Sequence, residues 1–177
     1  MYANLKLALL AILSGVAFSA SAQDIFEASR EGNLKQIKKL VRIKSDTVNA
    51  VNGQGFNPLM IACYRGQEKA ARLLVKNGAQ VNAISGEGSA LQAACYQNNT
   101  SLTLFLIEQG AKVDVQGPDG NNTLMYAVLN QNAELVRALV KAGSDLRATN
   151  NDGQTAYSLA MTLPDTAIRE LVRADNQ

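Results

Sequence analysis

The chain has 177 residues, with 17 Lys and Arg against 15 Asp and Glu and no His, for a formal net charge of +2. The missing imidazole excludes His-based catalytic triads, His-ligated zinc and imidazole acid–base chemistry. The near-neutral balance gives no electrostatic case for nucleic acid. There is no phosphate loop and no Cys-x-x-Cys pair, and the carboxylates are scattered. The expectation is therefore a protein that is not an enzyme and that uses no metal and no cofactor.

Residues Met1 to Ala22 read as a cleavable secretory signal peptide. Lys6 supplies the positive start, Leu7 to Phe18 is mostly apolar, and Ala20-Ser21-Ala22 is a small-x-small cleavage site. The apolar run is too short to span a bilayer. Cleavage is expected after Ala22, with the mature chain starting at Gln23 and making no membrane contact. No Cys follows the apolar run to accept a lipid. Losing Lys6 leaves 16 basic against 15 acidic residues, a net charge of +1.

Asp24 to Glu27 has the spacing of a capping box. Ala28 to Asn33 matches the end of a first helix, and Ile37, Leu40 and Val41 give a second helix its apolar side. Lys35, Lys38, Lys39, Arg42 and Lys44 make this stretch basic. That suits the solvated outer face of a terminal unit, which needs a polar exterior.

A clearer phrase follows. Asn57 can cap a helix, and Pro58 stands where its missing N–H has no consequence. Leu59, Ala62 and Cys63 fall on one face, and Gly66 ends the helix. Ala70, Leu73 and Leu74 mark a second helix, which Asn77-Gly78 stops. Each helix is too short to persist alone in water, so the unit must stack on copies of itself.

The copies are present. Leu59, Leu91, Leu124 and Tyr157 are spaced by 32, 33 and 33 residues, and Ala62, Ala94, Ala127 and Ala160 keep the same steps. Gly78, Gly110 and Gly143 recur after the second helix. Turns are expected at Ser85-Gly86-Glu87-Gly88 and Gly117-Pro118-Asp119-Gly120, with Asn122 as a further cap. The helix holding Leu102, Leu104, Phe105, Leu106 and Ile107 is unusually apolar. Asn99-Thr100-Ser101 and Asn121-Asn122-Thr123 fit a glycosylation sequon, but turn and cap roles explain them more simply. Asp165, Arg169, Glu170 and Arg173 give the last unit a charged outside.

A period near 33 with this content marks an ankyrin array. Asn57-Pro58-Leu59-Met60-Ile61-Ala62-Cys63 resembles the first ankyrin signature phrase. Gly78-Ala79-Gln80-Val81-Asn82, Gly110-Ala111-Lys112-Val113-Asp114 and Gly143-Ser144-Asp145-Leu146 resemble the second. The resemblance implies an all-α solenoid of about five helix-turn-helix repeats with short β-hairpin turns. Their approximate spans are 24–51, 52–83, 84–115, 116–148 and 149–177, after the signal peptide at 1–22. The family's His is replaced by Met60, Gln92, Met125 and Ser158, and its Thr survives only as Thr155. The Thr–His bonding between repeats should therefore be weaker here.

Cys63 and Cys95 hold equivalent positions 32 residues apart. Packed helices lie roughly 8–10 Å apart, beyond the comfortable span of a disulfide. Two buried thiols are favoured over a bridge, although the expected export would permit one.

Ankyrin arrays bind proteins through a concave side built from turn tips and first helices. Carried over, the resemblance marks a stripe of Arg30, Tyr64, Tyr96, Leu129 and Thr162. Arg65, Gln97 and Asn130 lie beside it. The turn tips are Gln54, Phe56, Glu87, Asp119, Asn121, Asp152 and Gln154. Phe56, Tyr64, Arg65, Tyr96, Gln97, Asn121, Leu129 and Asn130 are the candidate protein-binding residues, since aromatic and Arg side chains dominate interface hot spots. The implied protein is a monomeric, exported, periplasmic or secreted binding module of bacterial type. Its partner would be an exported enzyme, such as a cell-wall hydrolase or an oxidative-stress enzyme, which it inhibits, shields or stabilises. The alternative is a secreted effector that binds a host protein.

Overall fold

Short helices need defined ends, and this chain supplies them with side chains. The computed structural model describes residues 25–173. The signal peptide, the Asp24 cap and the tail after Arg173 lie outside the described residues. Helix α1 covers 25–31. It is followed by α2 (Leu34–Ile43), a short 3-10 turn (Ser45–Asn49), α3 (Pro58–Tyr64) and α4 (Glu68–Lys76). The hairpin strands β1 (Ile84–Ser85) and β2 (Gly88–Ser89) lead into α5 (Ala90–Tyr96) and α6 (Thr100–Glu108). Then come α7 (Thr123–Leu129), α8 (Ala133–Lys141), α9 (Ala156–Met161) and α10 (Thr166–Leu171).

The N-caps follow a rule legible in the sequence. Asn57, Ser89, Asn122 and Thr155 each accept a hydrogen bond from the backbone N–H three residues on, opening α3, α5, α7 and α9. Asn33, Asn99, Asn132 and Asp165 do the same for second helices. Asn99 is thus a cap, as its position in the repeat implies. The second helices stop at Gly78, Gly110 and Gly143, all with positive φ. After each, an N–H reaches back to close the helix, from Ala79 to the Leu74 carbonyl at 3.0 Å, for example.

First helices stack on first helices and second on second. Helices α3, α5, α7 and α9 form one layer, and α2, α4, α6, α8 and α10 the other. The core runs continuously between them through Leu59, Leu74, Leu91, Leu106, Leu124, Leu139 and Ile168, all fully buried. The unusually apolar α6 uses its surplus at the seams: Leu102 and Leu106 are buried, while Leu104, Phe105 and Ile107 pack half-buried against the core.

The connecting turns are less regular than a repeated hairpin. A two-stranded antiparallel ladder forms only at β1–β2 among the described residues, pairing Ile84 with Ser89. The other turns each close with two backbone bonds, the Asn52 N–H to Phe56 and Gly55 N–H to Asn52, Gly117 to Asn121 and Gly120 to Gly117, and Asn150 to Gln154 and Gly153 to Asn150, all at 2.9–3.0 Å. Side chains finish them: the Asn52 and Asn150 carboxamide oxygens each accept two backbone N–H groups. Gly120 shows how closely turns stack. Its φ is +76°, and a Cβ there would sit 2.5 Å from the Asn151 backbone nitrogen.

Other side chains bond neighbouring repeats where the Thr–His pair is missing. Gln92 stands where the family has His. Its Nε2 donates to the Asn121 carbonyl at 3.0 Å, and its Oε1 accepts from the Ser89 N–H at 3.0 Å. A second clamp repeats along the chain. Asn49 and Asn82 each donate to a Gly carbonyl in the next repeat and accept a backbone N–H from it. Asp114 accepts from the Asp145 N–H at 3.0 Å. On the second-helix layer, Arg72 donates to Glu68 and to Ser101, and its guanidinium lies 4.3 Å over the Phe105 ring.

Candidate functional site

The ends of α3 and α5 put two tyrosines on the exposed side of the first-helix layer. The small pairs Ala62-Cys63 and Ala94-Cys95 are fully buried, so the next residue on each helix must point outward. Tyr64 is 54% exposed and Tyr96 57%. Their rings lie 6.4 Å apart and nearly parallel, at 8°. Tyr96 in turn meets Tyr126 of α7 edge to face, with 5.8 Å between centroids and 88° between planes. Three successive repeats thus carry a ladder of phenols.

This ladder floors a groove of about 610 Å³, walled by the turn tips Phe56, Glu87 and Asp119 and reached at its other end by Arg30 and Arg65. Asp119 is fixed by the Asn121 N–H and carboxamide and by the Tyr126 hydroxyl, which donates at 2.9 Å. Burial opposes its charge, but these donors outweigh burial and hold the carboxyl below its ordinary range. Burial and the bond to Asp119 push the Tyr126 phenol up, so it stays a donor.

Of the eight candidate residues, Phe56, Tyr64, Arg65 and Tyr96 line this groove. Gln97 is exposed but sits beyond it as the C-cap of α5. Leu129 is exposed at the end of α7, also outside the groove. Two candidates need correction. Asn121 is only 8% exposed. Its oxygen accepts from Asn150 and its amide donates to Asp119, so it ties two turns together and offers nothing outward. Asn130 reaches back one repeat and donates to the Cys95 carbonyl at 2.7 Å, a structural bond where Arg65 and Gln97 project freely. Thr162, at the end of the expected stripe, donates to Leu159 in its own helix.

Tyr126 was missed because it does not hold the position after the small pair; it lies one residue before Ala127. Tyr126 stands three residues before Leu129, nearly one turn earlier in α7, and its longer side chain reaches the groove.

Cys63 and Cys95 are free, fully buried thiols. Cys95 donates weakly to the Thr123 carbonyl at 3.5 Å. Burial pushes the Cys95 thiol up to about 12 and the Cys63 thiol up as well. Neither is a nucleophile at neutral pH. Among the described residues no group of three or more His, Cys, Asp or Glu side chains comes together to hold a metal. No described helix is long and apolar enough to cross a membrane.

Family models agree with this geometry. The model described as "Ankyrin repeats (3 copies)" matches residues 25–117, and "Ankyrin repeats (many copies)" matches 106–160. The chain belongs to the ankyrin repeat family. Among similar proteins, the ankyrin repeat and SAM domain-containing protein 6 of Rattus norvegicus is 35% identical over 152 residues. That stretch is 85% of this chain but 13% of the relative. The Notch-regulated ankyrin repeat-containing protein of Homo sapiens is 46% identical over 44 residues, 25% of this chain and 39% of the relative. This chain therefore matches a minor part of each relative's length. What this ankyrin chain shares with them is a protein–protein interaction module.

Proposed function

We propose that this ankyrin protein is exported, works in the periplasm or outside the cell, and binds an exported enzyme through the Tyr64–Tyr96–Tyr126 groove without chemistry of its own. The observation that carries the reading is the exposed aromatic ladder. Tyr64 and Tyr96 are more than half exposed in a chain whose residues are only 5% aromatic. Large, rigid rings that stand in water in the free protein are the side chains that release most on burial against a partner. Charged rims on both sides of the groove fit the polar border of such an interface. Export rests on the signal-like composition of residues 1–22, and the enzyme partner on the family's bacterial exported members. The partner is inhibited, shielded or stabilised according to whether its active site is covered.

The test is a pull-down from a periplasmic extract with the native chain and a Tyr64→Ala/Tyr96→Ala variant side by side. Both residues are exposed, so the variant should keep its circular dichroism spectrum. One exported enzyme retained by the native protein and lost with the variant is expected. Equal retention by both would place the binding site outside this groove. N-terminal sequencing of the exported product should begin at Gln23; recovery of the protein only from the cytosol would refute export.

A further inference from the structure

The groove is charged differently at its two ends. At the first-repeat end stand Arg30 and Arg65. Arg30 is neutralised by Glu27 within its own helix. Arg65 makes no ion pair and no side-chain hydrogen bond among the described residues. At the other end stand Glu87 and Asp119, on the turn tips of the third and fourth repeats. The Glu87 carboxylate is likewise without an ion pair or hydrogen-bond donor among the described residues. Among the described residues lining the cleft, Arg65 is thus an unpaired cation and Glu87 an unpaired anion, and the tyrosine rings lie on the same surface.

The rings bias the acidic end further. Tyr96 and Tyr126 meet at 88°, which makes a corner of two aromatic walls. Aromatic faces are electronegative and attract a cation that comes within about 6 Å of the centroid. The Tyr126 hydroxyl donates to the Asp119 carboxylate, and a phenol so engaged has a more electron-rich ring. Asp119, Tyr126 and Tyr96 are thus joined by direct contacts, and Glu87 lines the same groove. An anion would be repelled there, and a purely apolar group would leave Glu87 desolvated without a counter-charge.

Resting on the reading that this groove binds protein, we infer that its occupant is an extended segment carrying a Lys or Arg for the Tyr96–Tyr126 corner and an Asp or Glu for Arg65. A wholly basic segment would meet Arg65 and Arg30, and a wholly acidic one would meet Glu87 and Asp119. Arg65 belongs to the second repeat, and the Tyr96–Tyr126 corner, formed by the third and fourth, lies one to two repeats further on. Stacked helices are spaced by roughly 8–10 Å, and an extended chain rises about 3.3 Å per residue. The paired charges should stand roughly three to six residues apart in the bound segment. The polarity also fixes chain direction, since reversing the segment would put each charge against its like.

The test is selection from a random peptide library displayed on phage, panned against the native protein and against Tyr96→Ala, Glu87→Gln and Arg65→Gln variants. The probe for affinity is the most enriched peptide, synthesised with blocked ends. Native selection should enrich peptides that hold an acid and a base at that separation. Glu87→Gln and Arg65→Gln should each weaken the probe about tenfold. The swap Arg65→Glu should recover binding when the acid of the probe is replaced by Lys. Peptides that need Tyr96 but show no paired charges would overturn the inference and leave the groove as a binding site. Peptides that bind equally to the Tyr96→Ala variant would overturn both. A library with no Tyr96-dependent binder would also overturn the inference, and the pull-down would then decide alone whether the groove binds a folded surface.

Discussion

Gln92→Met tests how these repeats are joined. The substitution is already present in the protein, since Met60 and Met125 hold the equivalent positions. Methionine matches glutamine closely in volume and should fill the same space. What it removes is specific. Gln92 is 3% exposed, and its carboxamide makes two bonds, from Nε2 to the Asn121 carbonyl and to Oε1 from the Ser89 N–H, each 3.0 Å. Two buried bonds contribute about 1 kcal/mol each, and a buried group left unpaired adds about 1–3 kcal/mol. Burial of an apolar side chain in place of an amide returns part of that. A net loss of about 2–3 kcal/mol is expected, which for a chain of this size lowers Tm by roughly 4–12 °C. The assay is urea and thermal unfolding followed by far-UV circular dichroism, with the slope against denaturant checked for lost cooperativity. Gln92→His keeps a donor near the Asn121 carbonyl and should lose less. An unchanged midpoint in Gln92→Met would refute the claim that this side chain carries the missing Thr–His link.

Two further outcomes follow from the backbone and from the thiols. Between paired helices, Gly32 and Gly66 adopt positive φ, but the third and fourth repeats place Asn98 and Gln131 there, at +52° and +54°. Left-handed backbone disfavours a Gln by about 1–2 kcal/mol, so Gln131→Gly should raise stability by about 1 kcal/mol after the extra chain entropy of Gly is counted; a lower denaturation midpoint would show that the strain is not real. An ordinary thiol titrates near 9, and burial raises Cys95 to about 12 and Cys63 too. The unfolded chain therefore loses these protons first, so their contribution is intact below about pH 9 and declines as pH rises towards 12. Urea midpoints should fall from pH 8 to pH 10.5 more steeply in the native protein than in Cys63→Ala/Cys95→Ala; parallel slopes would remove the thiols as the cause.

The fold was legible because its signals are local and repeated. A Ser, Thr, Asn or Asp before an apolar run caps a helix whatever surrounds it, and Asn57, Ser89, Asn122 and Thr155 all do so. Gly after the second helix is needed wherever the backbone turns left-handed. The period then converts five weak signals into one strong one. The bonds between repeats were not legible in the same way. Gln92 reads as the loss of a family His, and only its geometry shows an amide spanning 29 residues to the next turn. Asn49 and Asn82 look like ordinary turn residues until their partners in the next repeat are in place.

The site divides along the same line. Tyr64 and Tyr96 follow a buried small pair, the position that the family resemblance marks as facing the concave side. The same rule gave Leu129 and not Tyr126, because it tracks where the backbone points and ignores how far a ring reaches. Tyr126 leans across to Tyr96 and Asp119 from one turn earlier in its helix, while Leu129 stays exposed away from the groove. The two residues therefore make opposite predictions for a groove-binding partner. Leu129→Ala should leave affinity within about twofold, since exposed rim contacts contribute little. Tyr126→Ala removes one wall of the corner and the donor that orients Asp119, and should weaken binding by about tenfold or more at unchanged Tyr96 exposure. Isothermal titration of both variants with the partner recovered by pull-down reads the difference directly. A larger loss for Leu129→Ala would mean that the partner follows the outward stripe along all the repeats, and that the phenol ladder is only the packing between them.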